Sequence, residues 1–120
     1  MPAHDFRTVA PGTALPLVES DFIFAVTGVS SADVGPRGIH CGPAAILQLT
    51  VPVNSLELEV LNGAPASIRA FFYGPKGWTE GVGSPKQIFS DPNVETIRFD
   101  FAGIQRITFE GAELYLQLMR

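Results

Sequence analysis

From residue 94 to the C-terminus, apolar and polar side chains alternate three times over. Ile97, Phe99 and Phe101 alternate with Arg98 and Asp100. Ile107 and Phe109 alternate with Arg106, Thr108 and Glu110, and Leu114, Leu116 and Leu118 with Tyr115 and Gln117. A period of two places one set on each face of a pleated strand. Ala102-Gly103 and Gly111 divide the run into three antiparallel strands, half buried and half wet, of an all-β domain.

The rest of the chain agrees. Residues 6–9 read as a short first strand ended by Pro11-Gly12, and residues 15–18 as an edge or loop broken by Pro16. Residues 21–27 are apolar on both faces, as in a covered strand. Residues 28–38, rich in Ser, Gly, Asp and Pro, read as the longest loop. Residues 38–41 form a short strand and 45–51 a longer one, since Pro43, Pro52 and a β-branched tail disfavour a helical turn there. Pro52 interrupts the ladder before residues 55–61 resume with Leu56, Leu58 and Val60 inward. Asn62-Gly63 is a strong hairpin signal, although Pro65 lengthens the loop. In residues 66–73, Ile68, Ala70 and Phe72 take one face and Arg69, Phe71 and Tyr73 the other. Residues 74–77 make a turn, short strands follow at 78–83 and 86–89, and residues 91–93 turn again. Eight to ten short strands at roughly 8–12-residue spacing predict a single-domain antiparallel β-sandwich (jelly roll) spanning residues 1–120, with a closed β-barrel as the alternative.

Composition narrows the functional classes. A chain of 120 residues holds one core, and 46% hydrophobic against 17% charged residues excludes a disordered chain. A net charge of −4 with no Lys/Arg cluster argues against nucleic acid, whose phosphates need a basic surface. The single Cys41 cannot form an intramolecular disulfide. No apolar run is long enough for a membrane helix. Met1-Pro2-Ala3-His4-Asp5 lacks the basic and apolar stretches of a signal peptide, so a soluble cytoplasmic product is expected; a secreted mature domain would read the same way.

Two ends and the middle of the chain resemble a known group. Residues 6–16, Phe-Arg-Thr-Val-Ala-Pro-Gly-Thr-Ala-Leu-Pro, are similar to the opening F-E-D-L-x-P-G-T-x-L-P of small bacterial β-sandwich domains of the galactose-binding-like and carbohydrate-binding-module type. Residues 56–77 resemble their central hairpin and residues 104–116 their closing strands. The resemblance implies a jelly-roll sandwich that binds carbohydrate without catalysis. It also implies that an acidic residue in the first motif and an Asp in the last strand can hold calcium. Arg7 and Gln117 stand at those positions here, and a cation that needs several oxygens would be repelled by Arg7. No metal and no cofactor are therefore expected, and Arg7 is expected to hydrogen-bond to Gln117.

Trp78 follows the Gly74-Pro75-Lys76-Gly77 turn, with Tyr73 before it. An aromatic face flanked by polar groups suits sugar stacking, with Trp78 and Tyr73 as the platform and Lys76, Arg69 and Glu80 binding hydroxyls. The alternative is that Trp78 caps one end of the core. Phe71, Tyr115 and Met119 lie opposite the expected core residues and form a second apolar face. That face requires a loop, a ligand or a second copy of the chain as cover, so a homo-oligomer is the second reading. If the strands closed into a barrel, the same residues would line an apolar cavity, as in a cofactor-free enzyme.

No catalytic constellation emerges. His40 and Cys41 are neighbours and so point to opposite faces of a strand, which favours a buried structural Cys over a nucleophile. His4 sits near a loose terminus. Glu57 and Glu59 form either a carboxylate pair or, better, a solvated sheet face. Residues 35–38 carry one cation but lack the strand-to-helix setting of a phosphate loop.

Overall fold

A computed structural model of the chain describes residues 3–26, 33–42, 44–81, 86–88 and 93–120. Eleven strands and one 3-10 turn are present among them: β1 (His4–Asp5), the turn Phe6–Thr8, β2 (Leu17–Val18), β3 (Phe22–Val26), β4 (Asp33–Gly35), β5 (Gly38–His40), β6 (Ala45–Asn62), β7 (Ala66–Gly74), β8 (Gly77–Glu80), β9 (Lys86–Ile88), β10 (Asn93–Glu110) and β11 (Leu114–Met119). Parts of the expected 21–27 strand, 28–38 loop, 78–83 and 86–89 strands and 91–93 turn, namely residues 27–32, 82–85 and 89–92, lie outside the described residues, as does Pro43. The architecture is an antiparallel β-sandwich, and among the described residues the sheet does not close into a barrel.

Two long strands, β6 and β10, build both layers. Residues 45–48 of β6 pair with residues 106–109 of β10, while residues 55–62 pair with 93–100. Around the first pairing lie β3 against β6 and β7 against β10, with β2 beyond β3 and β8 and β9 beyond β7. These strands form the first sheet. Around the second pairing β11 joins β6, β5 joins β11 and β4 joins β5, forming the second.

The alternation shows where each long strand turns the corner. In β6 the odd-numbered Ala45, Leu47 and Leu49 are buried, residues 50–55 are exposed except for a half-buried Val53 against the core, and the even-numbered Leu56, Leu58 and Val60 are buried. Pro52 sits on this exposed bend, where its missing N–H costs no ladder bond, so the strand does not stop there. In β10 the register slips between Asp100 and Ile104, and Gly103, with φ +82°, supplies the bulge. Gly103 therefore bends a continuous strand where a break is expected.

Three other expectations are corrected. Residues 6–8 form a 3-10 turn because Asp5 caps it, its carboxylate accepting from the Arg7 backbone N–H. Asn62-Gly63 is not a hairpin: β10 lies between β6 and β7, so residues 63–65 carry the chain from the second sheet to the first. The Gly63 N–H donates to the Glu113 carbonyl across the neighbouring return crossing at residues 111–113. Residues 33–37 of the expected long loop form β4 and the turn of a hairpin, whose second strand, β5, lies in the short strand expected at residues 38–41.

The core between the layers is apolar: Phe22, Phe24, Leu47, Leu49, Ile68, Ile107 and Phe109 from the first sheet meet Ile39, Leu56, Leu58, Ile97, Phe99 and Leu116 from the second. Met119 belongs to this core, with 0% of its surface exposed. The register of β11 against β6 shifts between Leu116 and Leu118, and the bulge reverses the faces beyond it. Leu118 turns to the half-exposed side, and Gln117 is drawn inward.

Candidate functional site

Directly opposed residues in antiparallel strands point the same way. The outer face of the first sheet therefore carries one row across six strands: Val18, Ile23, Gln48, Arg106, Phe71 and Glu80. At its β7–β8 end the Gly74–Gly77 pair closes a tight turn, with Lys76 exposed on it and Gly77 at φ +88°. That register places Tyr73 opposite Trp78.

The two rings meet edge to face, 5.1 Å apart at 71°. Arg106 reaches over β7 and lays its guanidinium 4.0 Å from the centre of the Trp78 ring. Its Nε also donates to Gln48 Oε1 at 3.1 Å, so the cation is fixed from both sides. Trp78 is half-buried under this cover, whereas Tyr73 is 66% exposed. Arg69 lies 3.6 Å from Glu80 and donates to Ser67 Oγ. The sequence-derived set Tyr73, Trp78, Lys76, Arg69 and Glu80 thus stands together on the β7–β8 hairpin. Phe71 lies among them.

Arg106 and Gln48 complete the arrangement and were not singled out from the sequence. Their outward positions follow from alternation, but their meeting at Trp78 depends on β10 lying between β6 and β7. The set offers a free aromatic face, guanidinium and ammonium donors, and a carboxylate acceptor.

Phe71, Tyr115 and Met119 do not form one surface. Phe71 is on the outer face of the first sheet, Tyr115 is on the outer face of the second, and Met119 is in the core. The expected Arg7–Gln117 pairing is also absent. Arg7 donates through Nε and Nη2 to the Asp5 carboxylate at 2.9 and 3.0 Å, and Gln117 Nε2 donates to the Arg37 carbonyl at 3.0 Å. Asp5, two residues away, takes the Arg7 guanidinium, and the bulge in β11 draws Gln117 inward.

The remaining candidates resolve as structure. Cys41 is buried, and loss of solvent pushes its thiol up to about 12, far from a reactive thiolate. Glu57 and Glu59 receive Arg120, whose Nη1 lies 3.0 Å from Glu59. His4 is held rather than loose: its ring donates from Nε2 to Asp21 Oδ2 at 2.6 Å and packs edge-on against Phe22. Among the described residues no group of His, Cys, Asp and Glu is placed to hold a metal ion, and no helix is long and apolar enough to cross a membrane.

No protein family matches the chain, and no curated protein does. Among solved structures, the chain is similar to BiXyn10A CBM1 in its apo form, a carbohydrate-binding module, at 11% identity over 98% of this chain and 94% of that one, with a TM-score of 0.48. It is similar to a CBM4 at 14% identity over 95% and 91% of the two chains, with a TM-score of 0.45. It is also similar to the family 32 CBM of C. perfringens NanJ in complex with galactose, at 10% identity over 98% and 89%, with a TM-score of 0.40.

Proposed function

We propose that this chain is a non-catalytic carbohydrate-binding module whose ligand lies on the outer face of the first sheet, at the edge built by β7 and β8. The observation that carries this reading is the Tyr73 ring, exposed to water yet braced by a Trp78 that Arg106 holds in place. A ring fixed before the ligand arrives loses little freedom on binding. A sugar presents a C–H face to such a ring and hydroxyls around its edge. Arg69, Arg106 and Lys76 donate to those hydroxyls, and Glu80 accepts from them. Glu80 and Arg69 already neutralise one another, so a neutral ligand meets no unpaired carboxylate.

Affinity electrophoresis in native gels cast with xylan, mixed-linkage β-glucan, galactomannan or starch tests the reading, with a glycan array beside it. Retardation in at least one gel, lost in both Tyr73→Ala and Trp78→Ala, is the expected result. Unretarded migration in every gel together with a blank array would overturn it.

A further inference from the structure

The outer face of the second sheet carries its own row in register, Asp33, His40, Tyr115, Leu61 and Val94, across β4, β5, β11, β6 and β10. Tyr115 is its centre. His40 stacks on Tyr115, ring centres 4.9 Å apart at 29°. The same imidazole donates from Nε2 to the Ala112 carbonyl at 2.6 Å, and this bond together with the stack orients the ring. The histidine is thereby locked, and it locks the tyrosine.

Arg37, at the tip of the β4–β5 hairpin, stands over the Tyr115 ring at 5.8 Å. Its backbone is tied down by Gln117. Arg37 and Tyr115 form the wall between two clefts. One, of about 180 Å³, is bounded by Asp33 and His40; the other, of about 260 Å³, by Leu61 and Glu113. Each is smaller than the roughly 300–1,000 Å³ that takes a drug-sized ligand. Each has room for about one sugar ring.

The charges select the chemistry. An anion would meet Arg37 but also Asp33 and Glu113, and a cation would meet the reverse. An apolar ligand would strip water from all three without replacing its hydrogen bonds. A neutral polyhydroxylated ring satisfies them together, since a hydroxyl accepts from a guanidinium and donates to a carboxylate. We infer that the Tyr115 cleft is a second, independent sugar site, for one or two neutral pyranose units, on the opposite side of the sandwich from Tyr73. This rests on the reading of the chain as a glycan binder. Two sites facing away from each other cannot share one short ligand; they bridge two glycan chains.

Amide chemical-shift titration with galactose, xylobiose, cellobiose and maltose tests the inference on the intact protein. Two separate groups of shifted amides are expected for at least one sugar, one around residues 69–80 and 106, the other around residues 37–40 and 113–115. Tyr115→Ala should weaken the second group's binding about tenfold and leave the first unchanged, as expected for loss of one stacking ring. Arg37→Ala, an exposed change at a hairpin tip, should do the same, and it keeps the test valid if Tyr115→Ala does not fold. Shifts confined to the first group would overturn the second site and leave the module reading intact. Shifts confined to the second group would support it and overturn the placement at Tyr73. No shift with any of the four sugars would overturn both.

Discussion

Gln117 donates its side-chain amide to the Arg37 carbonyl at 3.0 Å, tying the last strand to the β4–β5 turn. The next residue of that turn, Gly38, has φ +103°, and a Cβ there would lie 2.2 Å from the Leu116 carbonyl oxygen. The bulge of β11 and the tip of the hairpin are thus fitted to one another. Gln117→Leu keeps the volume but orphans the carbonyl, with an expected loss of about 1–2 kcal/mol. Gly38→Ala adds strain at positive φ to a backbone collision, with an expected loss of about 3 kcal/mol or more. Urea unfolding should show lower midpoints in that order with unchanged slopes.

That bulge also marks the limit of what alternation reveals. Leu56, Leu58, Val60, Ile68, Ala70, Ile97, Phe99, Ile107 and Phe109 are buried where a strict period of two puts them. The period carries no mark of an extra residue, so Met119 reads as outward although one slip at Leu116–Gln117 turns it into the core. Asn62-Gly63 fails for a different reason: a local turn signal cannot report that β10 occupies the space between β6 and β7. At the candidate site, the hairpin residues were legible because β7 and β8 are adjacent in sequence. Arg106, Gln48 and the Arg37–Tyr115 contact come from strands paired across the whole chain, and no local pattern announces them.

Arg106 braces the platform. Replacing it by Leu removes both the cation over Trp78 and the bond to Gln48, exposing the face of the chain's single Trp to water. The tryptophan emission should shift to the red, and affinity for any glycan retained at Tyr73 should fall about tenfold, the scale of a cation–π contact of roughly 1–2 kcal/mol. Arg106→Lys should restore part of the emission but less of the affinity, because an ammonium cannot hold the planar stack. An unshifted emission in Arg106→Leu would show that the cation does not cover the indole in solution.

Cys41 should be inert in the folded protein. Its thiol is wholly buried and pushed up from 9.0 to about 12 by the loss of solvent around the thiolate. A disulfide reagent such as dithionitrobenzoate at pH 8 should titrate no thiol in native protein and one per chain in 6 M guanidinium. The sign of the linkage follows. The folded pKa lies above the unfolded one, so this contribution to stability is complete below about pH 9 and is lost as pH rises toward 12. The Cys41→Ala variant, measured by urea unfolding from pH 8 to 10.5, should show a shallower alkaline decline than the parent.

Asp5 shows the opposite sign at the other end of the scale. The Arg7 guanidinium, and then the Arg7 backbone N–H, hold its carboxyl below the ordinary 3.8. A depressed folded pKa stabilises the 3-10 turn above pH 3.8, and that stabilisation disappears as pH falls through the lower folded value. The carboxyl carbon shift of Asp5 should therefore titrate below 3.8 in the parent protein. In Arg7→Ala the midpoint should rise but stop short of 3.8, because the backbone donor of residue 7 remains. Gln117→Leu should leave it unmoved, since Arg7 serves Asp5 and not Gln117. A midpoint that follows Gln117 instead would restore the pairing between the two ends of the chain and displace the one described here.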